Sequence, residues 1–205
     1  MAITSTVVDT SLLTGSTGTT STITGATFGT AFSDRVIVVA INMDGSEGIT
    51  ALTIGGVSAE LFGQTGGTYV GSAVVPTGTT GNIVATLTGT DAIHVIGILS
   101  LSGAANATQF DAANNATFAT DNITITVPAS GSAVISGVTA SGGTWTNATA
   151  AATDTSLGFV MTSAYFDNAG GSTSRTFTLN GGGFFVLTGA SFSPLTDVLA
   201  AQIWI

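Results

Sequence analysis

Arg35-Val-Ile-Val-Val-Ala-Ile41 decides the fold class. After the arginine the run is wholly apolar and mostly β-branched, with no alternation of polar and apolar positions. Such a run is expected of a central strand covered on both faces. The neighbouring segments supply what would cover it. Thr50 to Ile54 and Val57 to Phe62 flank Gly55-Gly56, a two-residue hairpin turn. Tyr69 to Val75 and Asn82 to Thr88 surround Pro76-Thr-Gly-Thr-Thr-Gly81.

Further on, Ile93 to Leu101 is another apolar strand, in which simple alternation puts His94 on one face with Ile96 and Ile98. A loop rich in Ala and Asn follows, Gly103 to Ala119. Asn122 to Val127 then alternates, with Ile123, Ile125 and Val127 on one face. Ala133 to Ala140, Leu157 to Phe166, Arg175 to Leu179, Phe184 to Phe192 and Val198 to Ile205 complete the set. Apolar residues at helical spacing are scarce. The chain is therefore expected to be all-β, an antiparallel β-sandwich of the jelly-roll kind.

A length of 205 residues suits one sizeable core or two small sandwiches. Residues 34–205 read as the sandwich domain. Residues 1–33 differ: Thr14-Gly-Ser-Thr-Gly-Thr-Thr-Ser-Thr22 is low-complexity, with weak apolar pairs at Val7-Val8 and Leu12-Leu13. This segment is either an extended N-terminal arm lying on a neighbouring subunit or a pair of edge strands with a long loop. There is also an internal echo. Val75-Pro76 leads through Gly81 into Ile83-Val84, and Val127-Pro128 leads through Gly131 into Ala133-Val134. Two hairpins can look alike by chance; the alternative is a duplicated half of a two-sheet roll.

Composition narrows the function. Only 6% of residues are charged, against about 25% in ordinary domains. There are no lysines, two arginines and eleven acids, for a net charge of −9. Phosphate recognition takes clustered cations, so nucleic acid is not an expected partner, nor is an anionic membrane surface. Mean hydropathy is high at +0.56, but the best apolar run, Ala92 to Leu101, is broken by His94, Gly97 and Ser100 and falls short of a spanning helix. The start of the chain lacks a basic, then apolar leader, so a soluble product made in the cytoplasm is expected. Cysteine is absent, which removes disulfides and thiolate chemistry.

The candidate chemical residues are few. His94 is the only histidine, so any Ser–His–Asp arrangement would depend on it, and no Gly-x-Ser-x-Gly elbow accompanies it. Asp44-Gly45, Asp121-Asn122 and Asp167-Asn168 read as turn residues capping local backbone, not as a catalytic carboxylate pair. Asn42-Met-Asp44-Gly-Ser-Glu47 clusters oxygens that would suit calcium, and reads equally as a turn. No cofactor or metal is assigned. Sequons at Asn106, Asn115, Asn122 and Asn147 follow from the abundance of Thr. For sugar or partner contact the candidates are Trp145, expected on the Gly142-Gly-Thr-Trp-Thr-Asn147 loop, and Ile203, Trp204 and Ile205 of the terminal strand, a core or subunit seam.

Ser33-Asp-Arg-Val-Ile-Val-Val-Ala40, Leu52-Thr-Ile-Gly-Gly-Val57, Val75-Pro-Thr-Gly-Thr-Thr-Gly-Asn-Ile-Val84 and Ile96-Gly-Ile-Leu-Ser-Leu-Ser102 carry a resemblance. Together they resemble the Gly/Thr-rich β-sandwich proteins of tailed-phage virions, over about Phe28 to Phe192. The resemblance implies a jelly-roll or immunoglobulin-like sandwich serving as a capsid decoration (cement) protein, head spike or fibre module. It implies a non-enzymatic role in the virion, the major capsid protein as partner and a trimeric state. The alternative it carries is a receptor- or glycan-binding module of a spike or tail fibre. It brings no catalytic residues.

Overall fold

The computed structural model describes residues 1–13, 18–43, 47–63, 67–115, 121–156 and 158–195. All regular structure among them is β. The first sandwich faces a sheet of β1 (Thr4–Leu13), β9 (Ile93–Ser102), β3 (Val36–Met43), β7 (Thr68–Val74) and β6 (Glu60–Gly63), in that order, against a second sheet. The second sheet runs β2 (Thr20–Thr27), β8 (Thr80–Leu87), β4 (Ile49–Ile54) and β5 (Val57–Ser58). Every named pairing is antiparallel. Ile23, Phe28, Ile37, Val39, Leu52, Ile83 and Val95 fill the space between. The Gly55-Gly56 turn joins β4 to β5 with both glycines at positive φ, 60° and 80°, as a tight primed turn needs.

Within residues 1–33, β1 and β2 are edge strands of the two sheets. β1 pairs with β9 and β2 with β8, and the Asp9 carboxylate ties the two by accepting from Thr27 N at 2.8 Å.

The second sandwich is made largely by bending one long hairpin. β12 (Ser132–Thr146) and β15 (Thr173–Phe192) pair along most of their length. Their register slips at Thr139/Ser141 and Gly142/Thr144, opposite Gly181 and Gly182. Gly142, Gly143 and Gly183 all have positive φ, at 89°, 104° and 87°. There the strands turn a corner and cross from one layer to the other. One layer is β10 (Asp111–Asn114), the last part of β15, the first part of β12, β14 (Val160–Asp167) and β13 (Thr149–Asp154). The facing layer is β11 (Asn122–Val127), the first part of β15 and the end of β12. Ile123, Ile125, Ile135, Phe177, Leu179 and Leu187 lie between them.

The same strand order is thus built twice. The order β1-β9-β3-β7-β6 corresponds to β10-β15-β12-β14-β13, and β2-β8-β4 to β11-β15-β12. Equivalent ladders begin alike: Val36 faces Leu101 and Val74, as Ser132 faces Phe192 and Asp167. The proline echo does not follow this repeat. Val75-Pro76 joins β7 to β8, whereas Val127-Pro128 joins β11 to β12, a different step of the order. The likeness of the two turns is therefore local, although the duplication is real in topology.

The two five-stranded layers pack back to back, β3 on β12, β7 on β15 and β9 on β14. Val36, Val38, Val70, Leu99 and Leu101 meet Val134, Ala190 and Phe192 there. This double cover explains the apolar run that opens β3: Ile37, Val39 and Ile41 face the first core, Val36 and Val38 the seam. The seam also holds polar groups with partners. Ser136 Oγ donates to Asn42 Oδ1 at 2.9 Å, Thr68 Oγ1 donates to Thr188 Oγ1 at 2.8 Å, and Thr188 Oγ1 donates to Thr68 O at 2.9 Å. At one end Ser5 Oγ donates to Asp167 Oδ1 at 2.6 Å, fastening β1 to the second sandwich.

Several expected boundaries move. Arg175 to Leu179 and Phe184 to Phe192 form one strand, since the glycines between them make a corner and not a loop. β10 and β13 lie in stretches with no strand signal. Val57 to Phe62 divides between two sheets as β5 and β6. Val198 to Ile205 and Leu157 lie outside the described residues.

Candidate functional site

His94 is buried, with 1% of its surface exposed. It lies opposite Asn42 on β3, inside the seam between sandwiches. Its expected neighbours are corrected by a β-bulge: Ala40 pairs Gly97 and Ile41 pairs Val95, leaving Ile96 extra. Ile98 consequently turns into the first core with Val95, away from the seam that His94 shares with Leu99 and Leu101.

The oxygen cluster divides as well. Asn42 is wholly buried and its Oδ1 is taken by Ser136, while Glu47 Oε2 accepts from Thr88 Oγ1 at 2.6 Å. Asp44 lies outside the described residues. Among the described residues no group of three or more His, Asp or Glu is placed to hold a metal. The aspartates serve the backbone instead. Asp34 accepts from Gly103 N, Asp111 from Thr126 N, and Asp167 from Ser5 N. Asp167 therefore fastens a distant strand, where the sequence suggested a local cap.

Trp145 sits in β12, not on a loop. It is half-buried over the second core, beside Gly137 and Leu179, and its Nε1 donates to Thr162 Oγ1 at 3.0 Å. Ile203, Trp204 and Ile205 lie outside the described residues.

The two arginines have opposite surroundings. Arg35 is wholly buried at the foot of β3, and burial pushes its pKa down from the ordinary guanidinium value. All five of its N–H donors meet backbone carbonyls. Nε donates to Val75 O at 2.7 Å, Nη1 to Phe28 O at 3.3 Å and Gly29 O at 3.0 Å, and Nη2 to Thr77 O at 2.8 Å and Gly78 O at 2.7 Å. It bolts the β2–β3 and β7–β8 loops together. In the second sandwich Asn168 does the same work, its Nδ2 donating to Val127 O, Pro128 O and Gly171 O.

Arg175 is half-exposed on β15. Its guanidinium carbon stands 4.0 Å above the centre of the Phe166 ring, and its Nε is buried with no hydrogen-bond partner among the described residues. Around it opens a shallow hollow of about 320 Å³, walled by Asn147, Ala148, Thr149, Phe166 and Arg175. Asn147 holds φ at 67° and donates Nδ2 to Thr176 O at 2.9 Å. The first sandwich has a hollow at the matching place, about 500 Å³, formed by the Gly55-Gly56 turn, Pro76 and Thr77 of the β7–β8 loop, and Gly81 and Asn82 of β8. No ionisable side chain lines that one.

Sequence reasoning missed the Arg175–Phe166 pair. The available signal was scarcity: one of only two cations stands in the alternating stretch Arg175-Thr-Phe-Thr-Leu179. No protein-family model matches the chain, and comparison with curated proteins and with solved structures gives no match.

Proposed function

We propose that this chain is a non-enzymatic structural protein of a phage virion, a capsid decoration protein that binds the major capsid protein and stabilises the head. The observation that carries this reading is the doubled strand order, fused back to back around a seam that encloses the chain's only histidine. The order β1-β9-β3-β7 against β2-β8-β4-β5 supports a jelly-roll reading, an architecture used by viral capsid and lectin domains. Loops bolted by Arg35 and Asn168 favour a stiff slab, as a clamp across capsid subunits requires. A decoration protein acts by mass action, binding the assembled shell and not its dissociated parts. Phe110 and Phe159, 53% and 45% exposed, are the first candidates for contact with the shell.

The test is co-sedimentation of the purified chain with shells that lack it, with its solution mass taken by light scattering. The reading expects a trimer that saturates the shells and raises their disruption temperature, and weaker binding for Phe159→Ser. A monomer that stays in the supernatant refutes it. A second reading, a receptor- or glycan-binding module of a spike or fibre, is favoured by one observation, the Arg175 hollow with its aromatic floor.

A further inference from the structure

We infer that the Arg175 hollow binds the carboxylate of an acidic sugar, with Arg175 as the recognising cation and Phe166 as the platform that orients it. The inference rests on the second reading above and gives it a ligand class.

The chain carries eleven acids and two cations. Arg35 is spent on five carbonyls. Arg175 is left with no carboxylate among the described residues, although acids outnumber cations several-fold. A half-buried guanidinium is ordinarily satisfied by hydrogen bonds, and here Nε, a buried donor, has none. Phe166 beneath the guanidinium and the burial of Nε leave the Nη1–Nη2 edge, which makes no hydrogen bond among the described residues, as the fork that faces the hollow. That edge matches a carboxylate in bidentate fashion, the strongest hydrogen-bonded arrangement open to arginine.

The rim argues for a sugar acid over a simple one. Asn147 and Thr149 are exposed beside the fork, and with its Nδ2 bound to Thr176 O, Asn147 has its Oδ1 left to accept. An amide oxygen and a hydroxyl suit the hydroxyls that flank a uronic carboxylate. The matching hollow of the first sandwich is an internal contrast. Its turn offers Gly55 and its strand Asn82, so it shares the cleft and lacks the ion. The net charge of −9 opposes any anion at long range, so binding at one site is expected to be weak and gained through repeated sugars.

The experiment uses the full chain, isotope-labelled, titrated at constant ionic strength with sodium glucuronate, glucose and sodium acetate. Amide shifts of Asn147, Thr149 and Arg175, and the Arg175 Nε–H signal, are followed by NMR. Saturable shifts at these positions are expected with glucuronate and absent with glucose. Acetate is expected to bind at least threefold more weakly. Arg175→Gln should abolish the shifts and Arg175→Lys should weaken binding about tenfold, since a lysine loses the bidentate fork. Should Arg175→Gln disturb the fold, Asn147→Gly suits the positive φ, keeps the cation, and should cost about threefold. Absence of saturation with glucuronate, equal shifts with glucose, acetate binding as tightly as glucuronate, or unchanged binding in Arg175→Gln each overturns the inference. The broader glycan reading fails separately, if neutral and acidic glycans on an array are all left unbound.

Discussion

Replacing Arg35 with methionine removes the bolt of the first sandwich while keeping a long side chain in its place. Five carbonyls lose their donor at once. Two of the bonds, to Val75 O and Phe28 O, are buried, and the other three lie where water can reach. An orphaned buried acceptor costs about 1–3 kcal/mol, so the two together give roughly 2–6 kcal/mol. Removing the guanidinium also relieves the desolvation that lowers its pKa, which offsets part of that. A net loss of about 3 kcal/mol is expected. In a chain of 205 residues this corresponds to a fall in Tm of about 6–12 °C. Urea unfolding followed by far-ultraviolet circular dichroism measures it. Arg35→Lys keeps the charge but has three donors for five acceptors, so its loss should fall between wild type and Arg35→Met. If Arg35→Met changes stability by less than about 0.5 kcal/mol, the size of an ordinary surface substitution, the bolt is not structural.

Three further outcomes follow from the same geometry. Asn168→Ala should cost about 2 kcal/mol by freeing Val127 O and Pro128 O, and should add to Arg35→Met in the double variant, read by urea unfolding. Thr188→Val alone should destabilise the seam by about 1–3 kcal/mol because Thr68 O loses its donor and Thr68 Oγ1 its acceptor, whereas adding Thr68→Val should recover only the hydroxyl's share, since the Thr68 carbonyl stays unpaired, as a double-mutant cycle would measure. Gly142→Ala should cost about 2–4 kcal/mol, since it places a Cβ 2.7 Å from Gly181 Cα at a φ of 89°; a thermal melt unchanged from wild type would mean that the β12–β15 corner is not as described.

The readable part of the fold was the part governed by side-chain pattern. The apolar run that begins β3 demanded cover on both faces, and the two cores that flank it supply that cover. Gly55-Gly56 read correctly as a turn because the segments it separates pair directly across it, Ile54 with Val57 and Thr53 with Ser58. Gly142-Gly143 and Gly181-Gly-Gly183 carry the same chemistry, yet there the backbone bends within continuous strands. Glycine marks where φ can be positive; it does not say whether the chain reverses or turns a corner. The repeat was hidden for a related reason. Val38 and Val134 occupy equivalent places, but Val36 corresponds to Ser132 and Leu101 to Phe192, so the order of strands is shared and the side chains are not.

The candidate site was less readable still. His94 and Trp145 drew notice as rare residue types, and both are committed to packing. Phe166 and Arg175 come from different strands and meet only because β14 and the first part of β15 lie in facing layers of the second sandwich. No local pattern announces such a pair. The arithmetic of charge does point to Arg175, once Arg35 is seen to be consumed by carbonyls.

The most direct test of the central claim is an electron cryomicroscopy map of undecorated heads incubated with the purified chain. Decoration predicts added density at a fixed set of symmetry-related positions, deep enough for two sandwiches packed back to back and resting on the major capsid protein. Heads that emerge from saturating incubation with no added density would contradict it.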